Sequence, residues 1–324
     1  MIKQLSYISI VIYFIILSSL NTVNTKSITI FSENDFRKAL NSDYSNIIFK
    51  SSISIEGNYT LNSSIDKINI TGISKDVILK FKNDIDGLYI NDCNIVNIYN
   101  LTLVGNLFIS DSFNITISDV NINGLIQTSS SNVFLNKVTY NNNQSQKSQY
   151  GIIQNKGFLT IYNSYFYGSS SITENILYVT NDKKEEIENY ENALLTIINS
   201  NFTGEYECGI IKASSYRLYI QYSNFERGFT YDNGAVLNSE LSYVYIDDCF
   251  FEDNLSYNSG GVFYFDNNYY NHCYSSEFRN STAYKDGGIV YISNLDVINS
   301  YFYNIIISNI NQYTDSDSSG IIAW

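Results

Sequence analysis

The stretch FEDNLSYNSGGVFYF, Phe251 to Phe265, returns 27 residues on as FRNSTAYKDGGIVYI, Phe278 to Ile292. Both open on Phe, carry a charge directly behind it, and reach Gly-Gly before an apolar run. Read as chemistry, the pair is a binding loop that occurs twice. Read as architecture, it is one rung of a ladder. The flanking sequence decides. Nine eight-residue segments fall into one register: VNIYNLTL, ITISDVNI, VFLNKVTY, LTIYNSYF, LTIINSNF, LYIQYSNF, VYIDDCFF, NHCYSSEF and LDVINSYF. They end at Leu103, Ile122, Tyr140, Phe166, Phe202, Phe225, Phe251, Phe278 and Phe302, between 18 and 36 residues apart.

The columns of that register carry the fold. First and third positions are apolar from Val96 and Ile98 to Leu295 and Val297, with Asn271 the exception. This is the period of two of a strand with one buried face. The fifth position favours Asn or Asp (Asn100, Asp119, Asn163, Asn199, Asp248, Asn299), which tolerate a left-handed corner. The sixth becomes small from Ser164 onward, and the eighth is a large apolar residue. Strand, corner, short strand and variable loop, repeated, make a parallel β-solenoid. Each coil buries its apolar side only by stacking on the next, at about 4.8 Å. Unequal spacing is then loop length, and the longest coil carries the charged insert Asn181 to Asn192. Sparse hairpin signals argue against a sandwich, and the period of two against a helical repeat. The expected fold class is all-β, a right-handed parallel β-helix.

Three regions are expected along the chain. Residues 1–25 read as a secretory signal peptide: Lys3, a 16-residue apolar stretch from Leu5 to Leu20, then polar NTVNT with a cut near Thr25. A membrane span needs about 20 apolar residues, so a retained anchor is the lesser reading and the mature chain is expected not to insert into a membrane. Its expected place is secreted, extracellular or at the cell surface. Residues 26–50 read as an N-terminal cap segment, with a short helix over Ser32 to Ser42 that starts on a Ser cap and buries Phe36, Ala39 and Leu40. Residues 51–324 are the coils. SSGIIAW runs apolar to Trp324 without a polar cap, as in a coil cut short.

A net charge of −13 and a pI near 4.4 exclude nucleic acid and anionic membrane surfaces as partners. They also disfavour a polyanionic sugar. Four Cys (Cys93, Cys208, Cys249, Cys273) are too few for a disulfide scaffold, and three pairings stay open beside the reading as buried thiols. Nine sequons, Asn58, Asn62, Asn69, Asn100, Asn114, Asn143, Asn201, Asn254 and Asn280, are glycosylation candidates. An Asn-, Ser- and Thr-rich chain produces about that many by chance.

The register resembles the right-handed parallel β-helix proteins of the pectate-lyase-like class. Phe251 and Asn254, followed by Gly260-Gly261-Val262, resemble the FxxN and GG[AVI] signatures of polymorphic outer-membrane protein repeats. Phe278 with Gly287-Gly288-Ile289 matches half as well, because Ser281 replaces the Asn. The resemblance implies an exported, surface-associated or adhesive protein and names no ligand.

Several β-helix relatives cleave polysaccharides, and their equipment is missing here. The lone His272 has no flanking Gly and reads as a solvated loop residue. Pro is absent, and Arg occurs only at 37, 217, 227 and 279. The carboxylates Asp247, Asp248, Glu252 and Asp253 are the candidates for an acid–base pair. The ladder offers another account, stacking Glu226, Glu252 and Arg279 in one column and Arg227, Asp253 and Asn280 in the next. Asp315 and Asp317 in YTDSDSSG resemble part of a Ca²⁺ loop without its distal Glu; no other cofactor is indicated. Among 30 Tyr, Tyr99, Tyr162 and Tyr274 share an outward column suited to glycan stacking. The expected function is a non-enzymatic adhesive or structural surface that binds polysaccharide or a cell-surface protein. The alternative is a polysaccharide lyase or glycoside hydrolase with a non-standard carboxylate site.

Overall fold

The structure, a computed structural model, describes residues 26–61, 63–181, 193–293, 299–312 and 320–323. The chain winds as a right-handed parallel β-helix in which every strand pairing is parallel. One coil shows the plan. Leu237–Glu240 lies on the first face, Tyr243–Asp247 on the second and Phe250–Glu252 on the third. Leu255–Ser256 adds a short edge strand, and Phe263–Asp266 begins the next coil directly on Leu237–Glu240.

Eight of the nine segments stack in the expected register. The first positions pair from Val96 to Ile115, Val133, Leu159, Leu195, Leu218, Val244 and Asn271. The corner column is left-handed at Asn100, Asp119, Asn163, Asn199 and Asp248, with φ between 49° and 56°. Lys137 and Tyr222 adopt the same φ without an Asn or Asp side chain. The coil therefore imposes the corner, at about 1–2 kcal/mol for such residues.

Small residues in the sixth column serve the backbone just past that corner. The amide of Val138 donates to Ser164 Oγ (3.0 Å), that of Ser164 to Ser200 Oγ (3.1 Å), and that of Ser200 to Ser223 Oγ (3.1 Å). Each hydroxyl in turn donates to the carbonyl two residues earlier in its own coil. These hydroxyls give buried amides an acceptor, which is why a hydroxyl sits in an apolar interior. Beside it the eighth column is a stack of rings. Phe166, Phe202, Phe225, Phe251 and Phe278 are all buried, with centroids 4.6 to 5.4 Å apart.

The two Gly-Gly stretches are rungs. Gly234, Gly260 and Gly287 occupy a left-handed conformation, φ 64° to 71°. A Cβ on Gly261 would lie 2.2 Å from the Gly288 carbonyl oxygen, so the second Gly lets adjacent coils close on each other. Asn254 is fully buried: its Oδ1 accepts from the Gly228 amide (2.9 Å), and its Nδ2 donates to the Phe225 carbonyl (3.2 Å). It is thereby removed as a glycosylation candidate, since its carboxamide has no room for a sugar.

Helix α1, Glu33–Leu40, starts on Ser32 with a capping box to Asp35 and buries Phe36, Ala39 and Leu40. Phe36 packs on Phe49 (5.3 Å) and Tyr59 (5.4 Å), closing the apolar end of the first coils. Residues 26–50 also hold two strands, Ser27–Ile30 and Asn46–Phe49, that already belong to the second face. Longer corners, such as residues 50–52 between Phe49 and Ile53, break the eight-residue unit there.

The ninth segment needs correction. Phe302 pairs with Cys273 and Ile307 with Phe278, so the frame is set by SYFYNIII rather than LDVINSYF. Asn304, φ 55°, makes the corner in place of Asn299. Both frames place Asn at the corner, an apolar residue two positions before it and another three residues after. The pairing that extends the ladders on the second and third faces together is the later one. Residues 1–25, Asn62, most of the charged insert, Asp315, Asp317 and Trp324 lie outside the described residues.

Candidate functional site

On the first face, Tyr178, Lys212, Asn238 and Tyr264 follow one another in an outward column. Two hollows of about 190 and 350 Å³ lie side by side and share Lys212 and Asn238. The first is floored by Thr173, Glu174 and Asn175 and bordered by Glu207, Asp232 and the aromatic pair Phe229 and Tyr231. The second lies toward Tyr178, Thr180, Ser214 and Glu240.

A local irregularity aims Glu174 into this cleft. Ser148 pairs with Ile172, but Tyr150 pairs with Asn175, so the strand Ile172–Thr180 carries one extra residue. Such a bulge turns a side chain out of strict alternation. The Glu174 carboxylate then accepts from Gln149 Nε2 (2.5 Å), Tyr150 Oη (2.9 Å) and Lys212 Nζ (3.1 Å). Partial burial works to raise its pKa, but these three donors outweigh it and hold the carboxyl below its ordinary value. The same burial and the bond to Glu174 push the Tyr150 hydroxyl far up, so it stays protonated. Tyr150 is fixed by stacking on Tyr178 at 4.4 Å.

The aromatic wall belongs to the edge sheet. Phe229–Thr230 pairs with Leu255–Ser256, and that with Thr282–Ala283. Just beyond those strands Tyr231, Tyr257 and Tyr284 climb the edge with centroids 5.2 and 4.4 Å apart. Tyr231 is 78% exposed although it touches Phe229 and Tyr257, so most of its ring is open to a ligand. A flat apolar wall facing amide, carboxylate and ammonium groups matches what a sugar offers: a C–H face and hydroxyls at its rim.

The carboxylates singled out from the sequence line neither hollow. Asp247 lies on the second face and accepts from Gln221 Nε2 (3.0 Å). Asp248 is the corner residue, and Glu252 ends a third-face strand between Glu226 and Arg279. Asp253 occupies a second left-handed corner with Arg227 and Asn280. The expected columns are therefore present, but the ion pairs run differently. Arg279 pairs with Glu277 of its own strand, and Arg227 bridges Glu205 and Glu226. Among the described residues no three His, Cys, Asp or Glu are placed to hold a metal.

His272 is not a loop residue. It is the middle of the strand Tyr270–Tyr274, half-buried, with Tyr270 Oη at Nδ1 (2.5 Å) and the Tyr274 hydroxyl at Nε2. Burial pulls its pKa below the ordinary 6.5. Tyr99, Tyr162 and Tyr274 do share a column, but Ser118, Asn136 and Ile198 interrupt it, so they form no continuous strip. Of the sequons, Asn58, Asn143 and Asn280 are exposed, whereas Asn69, Asn100, Asn114 and Asn201 are half-buried.

Sequence reasoning missed Tyr150, Glu174, Lys212, Phe229 and Tyr231. The nine-segment register covers only the second and third faces. Counting forward from Gly234, Gly260 and Gly287 would have aligned Asn238, Tyr264 and Tyr291 on the first face. The bulge at Glu174 has no comparable signal.

No family model matches the chain, and no curated protein does. Among solved structures it is similar to the crystal structure of alginate lyase from Paenibacillus sp. str. FPU-7, at 14% identity and a TM-score of 0.33. That alignment covers 86% of this chain and 99% of the other. A likeness of that size says nothing about the chemistry of this chain.

Proposed function

We propose that this chain is a secreted or cell-surface glycan-binding β-helix, a rigid rod that holds polysaccharide in the cleft of its first face without cleaving it. The observation that carries the reading is the open Tyr231 ring beside a floor of hydrogen-bonding groups, in the first of two adjoining hollows. The apolar stretch from Leu5 to Leu20 supports export. The stacked coils give the stiffness that an adhesive or structural role needs.

A second reading, polysaccharide cleavage, is favoured by one feature. Glu174, Tyr150 and Lys212 bring a carboxylate, a protonated phenol and an ammonium together at the cleft floor. One experiment separates the two. The full chain is run in native gels containing soluble plant and microbial polysaccharides, and the same mixtures are assayed for new reducing ends. Retardation without cleavage, weakened about 2- to 10-fold by Tyr231→Ala, is the expected outcome. New reducing ends that vanish in Glu174→Gln would establish cleavage instead. Failure to bind any polysaccharide would sink both readings.

A further inference from the structure

The charges around the two hollows go further than a general affinity for sugar. Lys212 is the one cation lining either hollow, and its ammonium is engaged by Glu174 at 3.1 Å. Glu207 and Asp232 stand exposed at the rim of the first hollow, next to the aromatic wall, and Glu240 lines the second. With one ammonium against four carboxylates, the cleft is anionic, as is the chain at −13. The hollows are displaced along the strand direction: Thr173 to Asn175 in the first, Tyr178 to Asn181 in the second, with Lys212 and Asn238 between them.

We propose that the cleft selects amine-bearing sugars: an oligosaccharide of at least two hexosamine units with free amino groups, one in each hollow, lying along the strands and across the rod rather than along its axis. This rests on the reading of the cleft as a glycan site and names the class of glycan it takes. Each pyranose sets its C–H face or hydroxyls against the wall and floor. The protonated amine of the unit beside Tyr231 meets Glu207 and Asp232, and that of its neighbour meets Glu240. A uronate at either position brings a carboxylate against these groups and is repelled. An N-acetylated unit keeps the wall and loses the ion contacts.

Isothermal titration of the full chain decides this. The probes are glucosamine oligomers of one, two and four units, their N-acetylated counterparts, and oligogalacturonate. The free-amine dimer is expected to bind about 3- to 10-fold tighter than the N-acetylated dimer, the size that a few exposed ion contacts supply. High salt should erase that margin. Glu207→Gln combined with Asp232→Asn should cut the margin between the free-amine and the N-acetylated dimer. Two units should bind more tightly than one, with no further gain from four. Equal or tighter binding of oligogalacturonate, an amine preference that survives the double variant, or equal affinity for one and two units would overturn the proposal. Loss of every saccharide, amine-bearing or not, would instead overturn the reading of the cleft as a glycan site.

Discussion

Asn254 and Glu252 stand two residues apart in a stretch that looks like a binding loop, yet the fold treats them in opposite ways. Asn254 is sealed inside and completes two backbone hydrogen bonds, while Glu252 is half-exposed in a surface ladder. Asn254→Ala would leave the buried Gly228 amide without its acceptor and should cost about 1–3 kcal/mol in urea unfolding. Asn143→Ala, at an exposed position outside the left-handed corners, should cost less than about 0.5 kcal/mol. Similar losses at both sites would contradict the buried role. His272 offers a cleaner probe, because it is the single His in the chain. Burial lowers its folded pKa below 6.5, so the unfolded chain takes up its proton at a higher pH than the folded one. Stability should therefore fall as pH drops through 6.5, until the folded imidazole is also protonated. The lone imidazole signal in NMR should titrate below 6.5, and His272→Gln should flatten this part of the stability profile. A signal titrating at or above 6.5 would show that the tyrosine-flanked site is solvated.

Helix α1 is the element whose job was most legible in advance. Its Ser cap and the spacing of Phe36, Ala39 and Leu40 point to one buried side, and that side covers the first coils. Ser32→Ala should cost about 0.5–2 kcal/mol by removing the cap. Phe36→Ala should cost about 3–5 kcal/mol by opening a cavity between Phe49 and Tyr59. Urea midpoints at unchanged slope would measure both. A loss below about 1 kcal/mol for Phe36→Ala would mean that the helix does not seal the core. The strand Ile172–Thr180 was illegible for the opposite reason. Its functional residue, Glu174, depends on a bulge defined only against the neighbouring strand, and a single strand carries no mark of where its partner slips.

Across the whole molecule, one core runs from Ile30 to Ile292 and takes in all four thiols as packing groups. Cys93, Cys208, Cys249 and Cys273 are buried and form no disulfide, and burial pushes the Cys208 and Cys273 thiols up to about 12. A thiol reagent at pH 8 should label none of the four in the native protein and all four in denaturant; rapid native labelling would contradict the burial. The stack of coils was written in the sequence because its rules are local and repeated. Alternating apolar residues make a strand with one inward face, and Asn or Asp at the fifth position marks the corner, so eight segments fell into register without knowledge of their neighbours' loops. The ninth frame could not be read that way, since LDVINSYF and SYFYNIII satisfy the same local rules around the corner, and only simultaneous pairing on two faces chooses between them. The cleft lay further out of reach. Tyr150, Glu174 and the pair Lys212 and Tyr231 come from three coils joined by loops of unequal length, so their meeting is fixed by stacking register and one bulge. Local alternation determined the rod, and contact between coils decided where on its surface chemistry could gather.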